Sequence, residues 1–507
     1  MENLKKTLLF VSTLLGLCFI GSALLPAQSV VDLTLQSAVE IAMDHSYRVR
    51  QLRLGIERQR KWLEAERADL KSKVYAHLKI PEISRLSEHK WNSDLGKDEI
   101  VRRNTRLWKM GLSIEQPVIL FGYPTNGYLS LNNEMYRYVQ LHNATRDIDY
   151  YNRYFVRFEQ PFFQPNRLKN ELEEAELDLE EREIEFLEDL VDILDDVGDD
   201  YYDLFELSYR DRVYSHQVEA LRQVSEMARD IAQREPARSI EADQAQVEWA
   251  NVQERLLQNQ SDMRLESARL KQRLRLNSQD SLRVSSVVNI VPITVDVDQA
   301  IEYGYTLRPR LRKLAINKQQ NELDLDNTRG WNSFRVDLEM TYGLEKKDER
   351  YQALWDQLDE SYSVALNAYV PIWDWGKRKA QIEAREISIK KVELYIEETK
   401  NRIHSEIVNA ISSLKEYQER AMTMRKNKDM AQKITAVNMS RYEAGKISLQ
   451  DLLQTINRQR DTELNFLDAY LGYRRSLLAL LKYTYYDYEN KTSLLEWLRD
   501  KPVRNAH

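Results

Sequence analysis

The side chains that could do chemistry here are seven histidines, one cysteine and 81 carboxylates, and their spacing argues against catalysis. The histidines are scattered without metal-ligand spacing, no glycine-rich phosphate loop follows a strand, and Cys18 is the sole thiol. Metal, nucleotide and thiol chemistry all lack their residues, so no cofactor and no enzymatic activity are expected. The net charge of -7 likewise speaks against nucleic acid as a partner. The densest carboxylate cluster is Asp195, Asp196, Asp199, Asp200 and Asp203. It reads either as a solvated helix face or as a negative potential that favours cations.

The elements that must position these groups are mostly helical. With 31% charged residues, 14 glycines and 11 prolines in 507 residues, a loop-rich sandwich is disfavoured. The mean hydropathy of -0.62 leaves little apolar material for large cores. Residues 1–27 read as a secretory signal: Lys5 and Lys6, an apolar run from Leu8 to Leu25, and Ala27 before Gln28. Cys18 lies inside that run, so the exported chain has no thiol; a lipidated Cys18 is the alternative, with bulky Leu17 against it. After Gln28 no stretch reaches the ~20 apolar residues of a membrane helix. A soluble periplasmic protein or a β-barrel remains.

The chain is written twice. Ala38-Val39-Glu40 followed by Arg48-Val49-Arg50 reappears as Ala300-Ile301-Glu302 followed by Arg310-Leu311-Arg312, an offset of 262 from Ala38 to Ala300. From Pro161 to Pro371 the offset is 210, so the first copy carries about 52 extra residues, placed between 84 and 151. The first repeat spans 28–290, the second 291–487, and a tail covers 488–507. Each repeat reads as a helix, strands and a long helical hairpin.

In the second repeat Val336, Leu338, Met340, Tyr342 and Leu344 alternate with Arg335, Asp337, Glu339, Thr341 and Gly343. Tyr362, Val364 and Leu366 show the same period, as do Val74, Ala76, Leu78 and Ile80 in the first repeat. Period two with one apolar face predicts strands between lipid or core and water. The insertion holds a further alternating run, Trp108, Met110, Leu112 and Ile114, and a turn at Gly122-Tyr123-Pro124 before Leu129 and Leu131. An extra hairpin is expected there. If it joins the sheet, each copy supplies six strands rather than four.

No proline occurs between Pro165 and Pro236 or between Pro371 and Pro502. Ile184, Leu187, Val191, Leu194, Val197, Tyr201 and Leu204 step by three or four, the stripe of a coiled-coil helix. Some ~70 helical residues span ~100 Å, enough to bridge a wide gap.

With these features, the chain resembles the TolC family of outer-membrane efflux proteins from about Leu33 to Asp487. The resemblance rests on Leu35-Gln36-Ser37-Ala38-Val39 with its repeat, and on the strand ends Gln160-Pro161 and Val370-Pro371. It rests above all on Arg441-Tyr442-Glu443-Ala444-Gly445-Lys446-Ile447-Ser448 before Asp451-Leu452-Leu453. It implies a mainly α fold with a β-barrel part. In that fold a homotrimer shares one transmembrane barrel in outer-membrane lipid and one α-helical tunnel in the periplasm of a Gram-negative cell. The implied partners are a periplasmic adaptor (membrane fusion) protein and an inner-membrane transporter of RND or ABC type, in tripartite efflux or type I secretion.

The same resemblance implies a periplasmic gate. Tyr442 matches the gate tyrosine, Asp243 its carboxylate partner, and Asp451 a pore-facing aspartate; the bland reading of both aspartates is a solvated helix start. Ile447 stands where an arginine can cross-link neighbouring tips, and Gln454 where a second aspartate can occur. Adaptor contact is expected at Pro236, Ala237 and Arg238 and at Gly445, Lys446 and Ile447. The competing reading is a soluble periplasmic coiled-coil scaffold or pump adaptor, against which the duplication weighs.

Overall fold

The computed structural model describes residues 30–93, 96–142, 145–285 and 287–500; the expected leader at 1–27, with Cys18, lies outside them. The first repeat runs β1 (Val30–Leu33), α1 (Leu35–His45), α2 (Tyr47–Asp69), β2 (Lys73–Asn92), β3 (Lys97–Leu120), β4 (Tyr123–His142), β5 (Thr145–Phe162), α3 (Arg167–Arg234), a 3-10 turn at Pro236–Arg238, and α4 (Ser239–Leu274). After β6 (Ser281–Val284), the second repeat runs α5 (Val297–Thr306), α6 (Arg310–Gly330), β7 (Arg335–Asp348), β8 (Asp359–Tyr369), α7 (Lys377–Glu443) and α8 (Leu449–Thr484). The short β9 (Tyr486–Asp487), β10 (Thr492–Ser493) and α9 (Leu494–Asp500) follow. No described helix is long and apolar enough to cross a membrane.

The chain divides into two compact units, each built from both repeats. One comprises Leu52–Glu188 and Pro309–Arg402. Its centre is a six-stranded antiparallel sheet in the order β2-β3-β4-β5-β7-β8. The insertion therefore supplies β3 and β4 as full members between β2 and β5. Their hairpin closes through Phe121 and Gly122, both at positive φ (53° and 85°), which suits the right-handed twist of the flanking strands.

Register carries the period-two pattern across all six strands. Val74 faces Ile114, Ile114 faces Leu131, Leu131 faces Val156, Val156 faces Tyr342 and Tyr342 faces Tyr362, so this row is apolar from edge to edge; in the neighbouring rows of the same face Asn133 donates to Asn152. The side chains of the apolar row are exposed, Tyr362 by 81%, as is Val364 by 68%, so the face is not covered within the described residues. Phe121, Phe163, Trp373 and Trp375 are exposed where strands turn back or give way to helix. The opposite face is polar and laced by Arg153–Glu345 (3.4 Å), Arg157–Glu339 (3.5 Å) and Lys109–Glu134 (3.1 Å). Below the sheet, α3 meets α6 through Leu177, Ile184 and Ile316, with Arg312 forked onto Glu180.

Among the described residues, the other unit comprises 30–51, Asp189–Arg308 and 403–500. β1 and β6 form a parallel pair, Val30 opposite Ser281. The side chain of Thr34 accepts from the Ser37 amide and Ser37 reciprocates, so α1 starts on a capping box. Val191, Leu194, Val197, Tyr201 and Leu204 are buried along α3 as their spacing demands. The acidic cluster is neither bare nor merely solvated. Lys482 holds Asp195 (2.7 Å), Arg273 holds Asp196 (3.0 Å) and Asp200 (2.5 Å), and Arg475 holds Asp203 (2.5 Å). Four of those five carboxylates thus tie α3 to α4 and α8.

Candidate functional site

The two helical hairpins reverse direction by different local chemistry. At the second tip α7 ends in a Schellman motif: the Lys446 amide donates to the Arg441 carbonyl (2.8 Å) and the Gly445 amide to that of Tyr442 (2.9 Å). Gly445 takes φ +69° with open space where a Cβ would stand, so the left-handed backbone alone requires glycine. α8 then starts on a second capping box. The Asp451 amide donates to Ser448 Oγ (3.1 Å), and the Asp451 carboxylate accepts from the Ser448 amide and hydroxyl. At the first tip Pro236 opens a single 3-10 turn, and the Arg238 amide donates to the Glu235 carbonyl (2.9 Å).

Between the tips lies an apolar cluster of Leu221, Val224 and Val252 with Leu449, Leu452 and Ile456, and Tyr442 is completely buried within it. The Tyr442 hydroxyl reaches out of this cluster and donates to Glu241 Oε2 at 3.2 Å. Arg238 clamps the same carboxylate, Nε to Oε1 at 2.9 Å and Nη2 to Oε2 at 2.8 Å, and its guanidinium lies 5.9 Å from the centre of the tyrosine ring. Burial pushes the Tyr442 phenol up to about 12. The Arg238 fork holds Glu241 below the usual carboxylate range, with the tyrosine bond adding to it. At neutral pH the phenol is therefore a donor and the glutamate an ionised acceptor.

Of the expected gate residues, Tyr442 is joined to a carboxylate on the first hairpin, but that carboxylate is Glu241. Asp243 is exposed two positions further along α4, about 200° around the helix from Glu241. Asp451 is exposed and engaged in the α8 cap. Among the expected adaptor contacts, Pro236, Ala237, Gly445 and Lys446 are exposed; Ile447 packs against the apolar cluster, and Arg238 is half-buried in the link to Glu241. Sequence reading missed Glu241 as acceptor. The i, i+3 spacing of Arg238 and Glu241 across a helix start is the signal that could have found it. Among the described residues no group of His, Cys, Asp and Glu is placed to hold a metal ion.

The fold is that of bacterial outer-membrane channels. The chain superimposes on a membrane protein from Pseudomonas aeruginosa with a TM-score of 0.65 at 16% identity, covering 91% of this chain and 97% of that one. On the outer membrane protein VceC from Vibrio cholerae the TM-score is 0.64 at 13% identity, with 89% and 95% covered. On the Campylobacter jejuni CmeC outer membrane channel it is 0.63 at 13% identity, with 92% and 90% covered. Residues 307–484 match the model of the outer membrane efflux protein family. Outer membrane efflux proteins transport and do not catalyse. No curated protein matches the chain.

Proposed function

We propose that three copies of this chain form the outer-membrane channel of a tripartite efflux or type I secretion system, in the outer membrane of a Gram-negative cell with the helical part in the periplasm. Substrates pass from a periplasmic adaptor and an inner-membrane transporter of RND or ABC type, through the helical tunnel and the barrel, to the exterior. The observation that carries this reading is the six-stranded sheet, mainly apolar on one face and charged on the other. A single copy leaves β2 and β8 as open edges, and hydrocarbon does not tolerate unpaired backbone groups.

The link from Tyr442 to Glu241 and Arg238 holds the two hairpins of one copy together and acts as the gate latch. Exposed Gly445 and Lys446 and the exposed Pro236-Ala237 turn are the surfaces offered to the adaptor. Asp451 and Asp243 add negative charge at the tunnel mouth.

Mass and conductance of the detergent-purified protein test the proposal. A particle of three 60.1 kDa chains, less the leader, that forms channels in a planar bilayer is expected. A monomer that stays soluble without detergent would refute it and favour the scaffold reading.

A further inference from the structure

The geometry points to a transmembrane barrel of eighteen strands, closed by antiparallel pairing of β2 of one copy with β8 of the next. This rests on the trimeric channel reading and goes beyond it, because a frame without the insertion would close twelve.

Along the sheet order β2-β3-β4-β5-β7-β8 every neighbour is antiparallel, so β2 and β8 point in opposite directions. Setting β8 of one copy beside β2 of the next therefore continues the alternation. The contact is head-to-tail, the kind that closes a ring under rotation. An inserted hairpin adds an even number of strands, so it widens the sheet without disturbing this parity. The repeat offsets, 262 before the insertion and 210 after it, leave about 52 residues for the addition. That matches β3 and β4 with their turns.

β3 and β4 continue the sheet's face pattern, with Asn133 as a polar member beside Leu112: Met110 and Ile114 of β3 stand beside Leu78 and Val74 of β2, and Met135 and Leu131 of β4 stand beside them in turn. On the polar face Lys109 and Glu134 join the two inserted strands to each other. A hairpin that folded over the barrel mouth or into its lumen would not need a lipid-type face in register with four other strands. Nor can the six strands close on themselves, because Arg153, Arg157, Glu339 and Glu345 crowd the polar face and require a wide, wet interior.

β2 and β8 border the sheet with apolar side chains exposed, Leu78 by 63% and Leu366 by 67%. Lys79 and Glu82 flank the one register break in β2, at Pro81, so the regular edge available to a neighbour is the segment from Lys73.

Strands ~4.8 Å apart and tilted ~40° give eighteen strands a backbone diameter of ~36 Å and twelve strands ~24 Å. The widened barrel would pass roughly twice the cross-section at its outer end.

The test is end-on electron microscopy of the detergent-purified full chain beside a variant in which an Asn-Gly turn replaces residues 93–144, with the mass of both measured by light scattering. A trimer whose ring measures ~36 Å, falling to ~24 Å in the variant, is expected. A trimer with a ~24 Å ring in the full chain, or a ring that the deletion leaves unchanged, overturns the eighteen-stranded barrel while leaving the channel reading intact. A full chain that is not trimeric overturns both. If the variant does not fold, the ring of the full chain decides alone.

Discussion

The hydroxyl of Tyr442 on the second helical hairpin donates to Glu241 on the first at 3.2 Å, with the tyrosine ring buried and the bond at the rim of the apolar cluster between the tips. Non-directional packing thus holds the ring, and one directional bond selects the carboxylate. A hydrogen bond to a charged group contributes about 1.5–3 kcal/mol, enough to hold a gate yet small against the binding energy of a partner protein.

Tyr442→Phe removes that bond and keeps the ring packing. Single-channel conductance in planar bilayers should rise, and Glu241→Gln should raise it in part because the amide still accepts. Asp243→Asn should leave the latch as it is. An increase with Asp243→Asn and none with Tyr442→Phe would show that the latch lies elsewhere.

The latch should be insensitive to pH across the neutral range. Glu241 is held below its ordinary 4.5, so its contribution is complete above that value and is lost as pH falls through the lowered one. Tyr442 is raised from 10.0 to about 12, so its contribution is complete below 10.0 and is lost as pH rises through about 12. Conductance should stay flat between these limits and rise on acidification below 4.5. In Glu241→Gln the acid rise should be absent.

Gly445→Ala forces a Cβ into the left-handed region at φ +69°, at a cost of about 1–2 kcal/mol. Gly445→Asn should cost less, since asparagine tolerates that region. Limited proteolysis at the second tip should rank the three proteins glycine, asparagine, alanine from most to least protected.

Gly343→Ala tests the sheet. Its Cβ would stand 2.8 Å from both Phe155 Cβ and the Tyr154 carbonyl oxygen on the paired strand, neither of which is a flexible chain end. Phe155 is itself covered by Arg153 and Arg157 at 4.7 and 5.3 Å. The yield of folded protein by gel mobility without heating should fall, while helix content by circular dichroism should change little.

The duplication, the long helices and the two-faced strands follow from the sequence by itself. Each depends on local periodicity: 3.6 along Ile184 to Leu204 and two along Val336 to Leu344. The Gly445 turn is equally local, since a left-handed residue after a helix calls for glycine. What tertiary structure decided is pairing between distant residues. That the insertion enters the sheet between β2 and β5 depends on hydrogen bonds across dozens of residues, which no window of sequence contains. That Arg273, Arg475 and Lys482 neutralise the acidic cluster depends on which helices meet α3. The choice of Glu241 over Asp243 turns on helical phase. Two residues rotate a side chain by about 200°, and the single 3-10 turn at Pro236–Arg238 sets where that rotation begins.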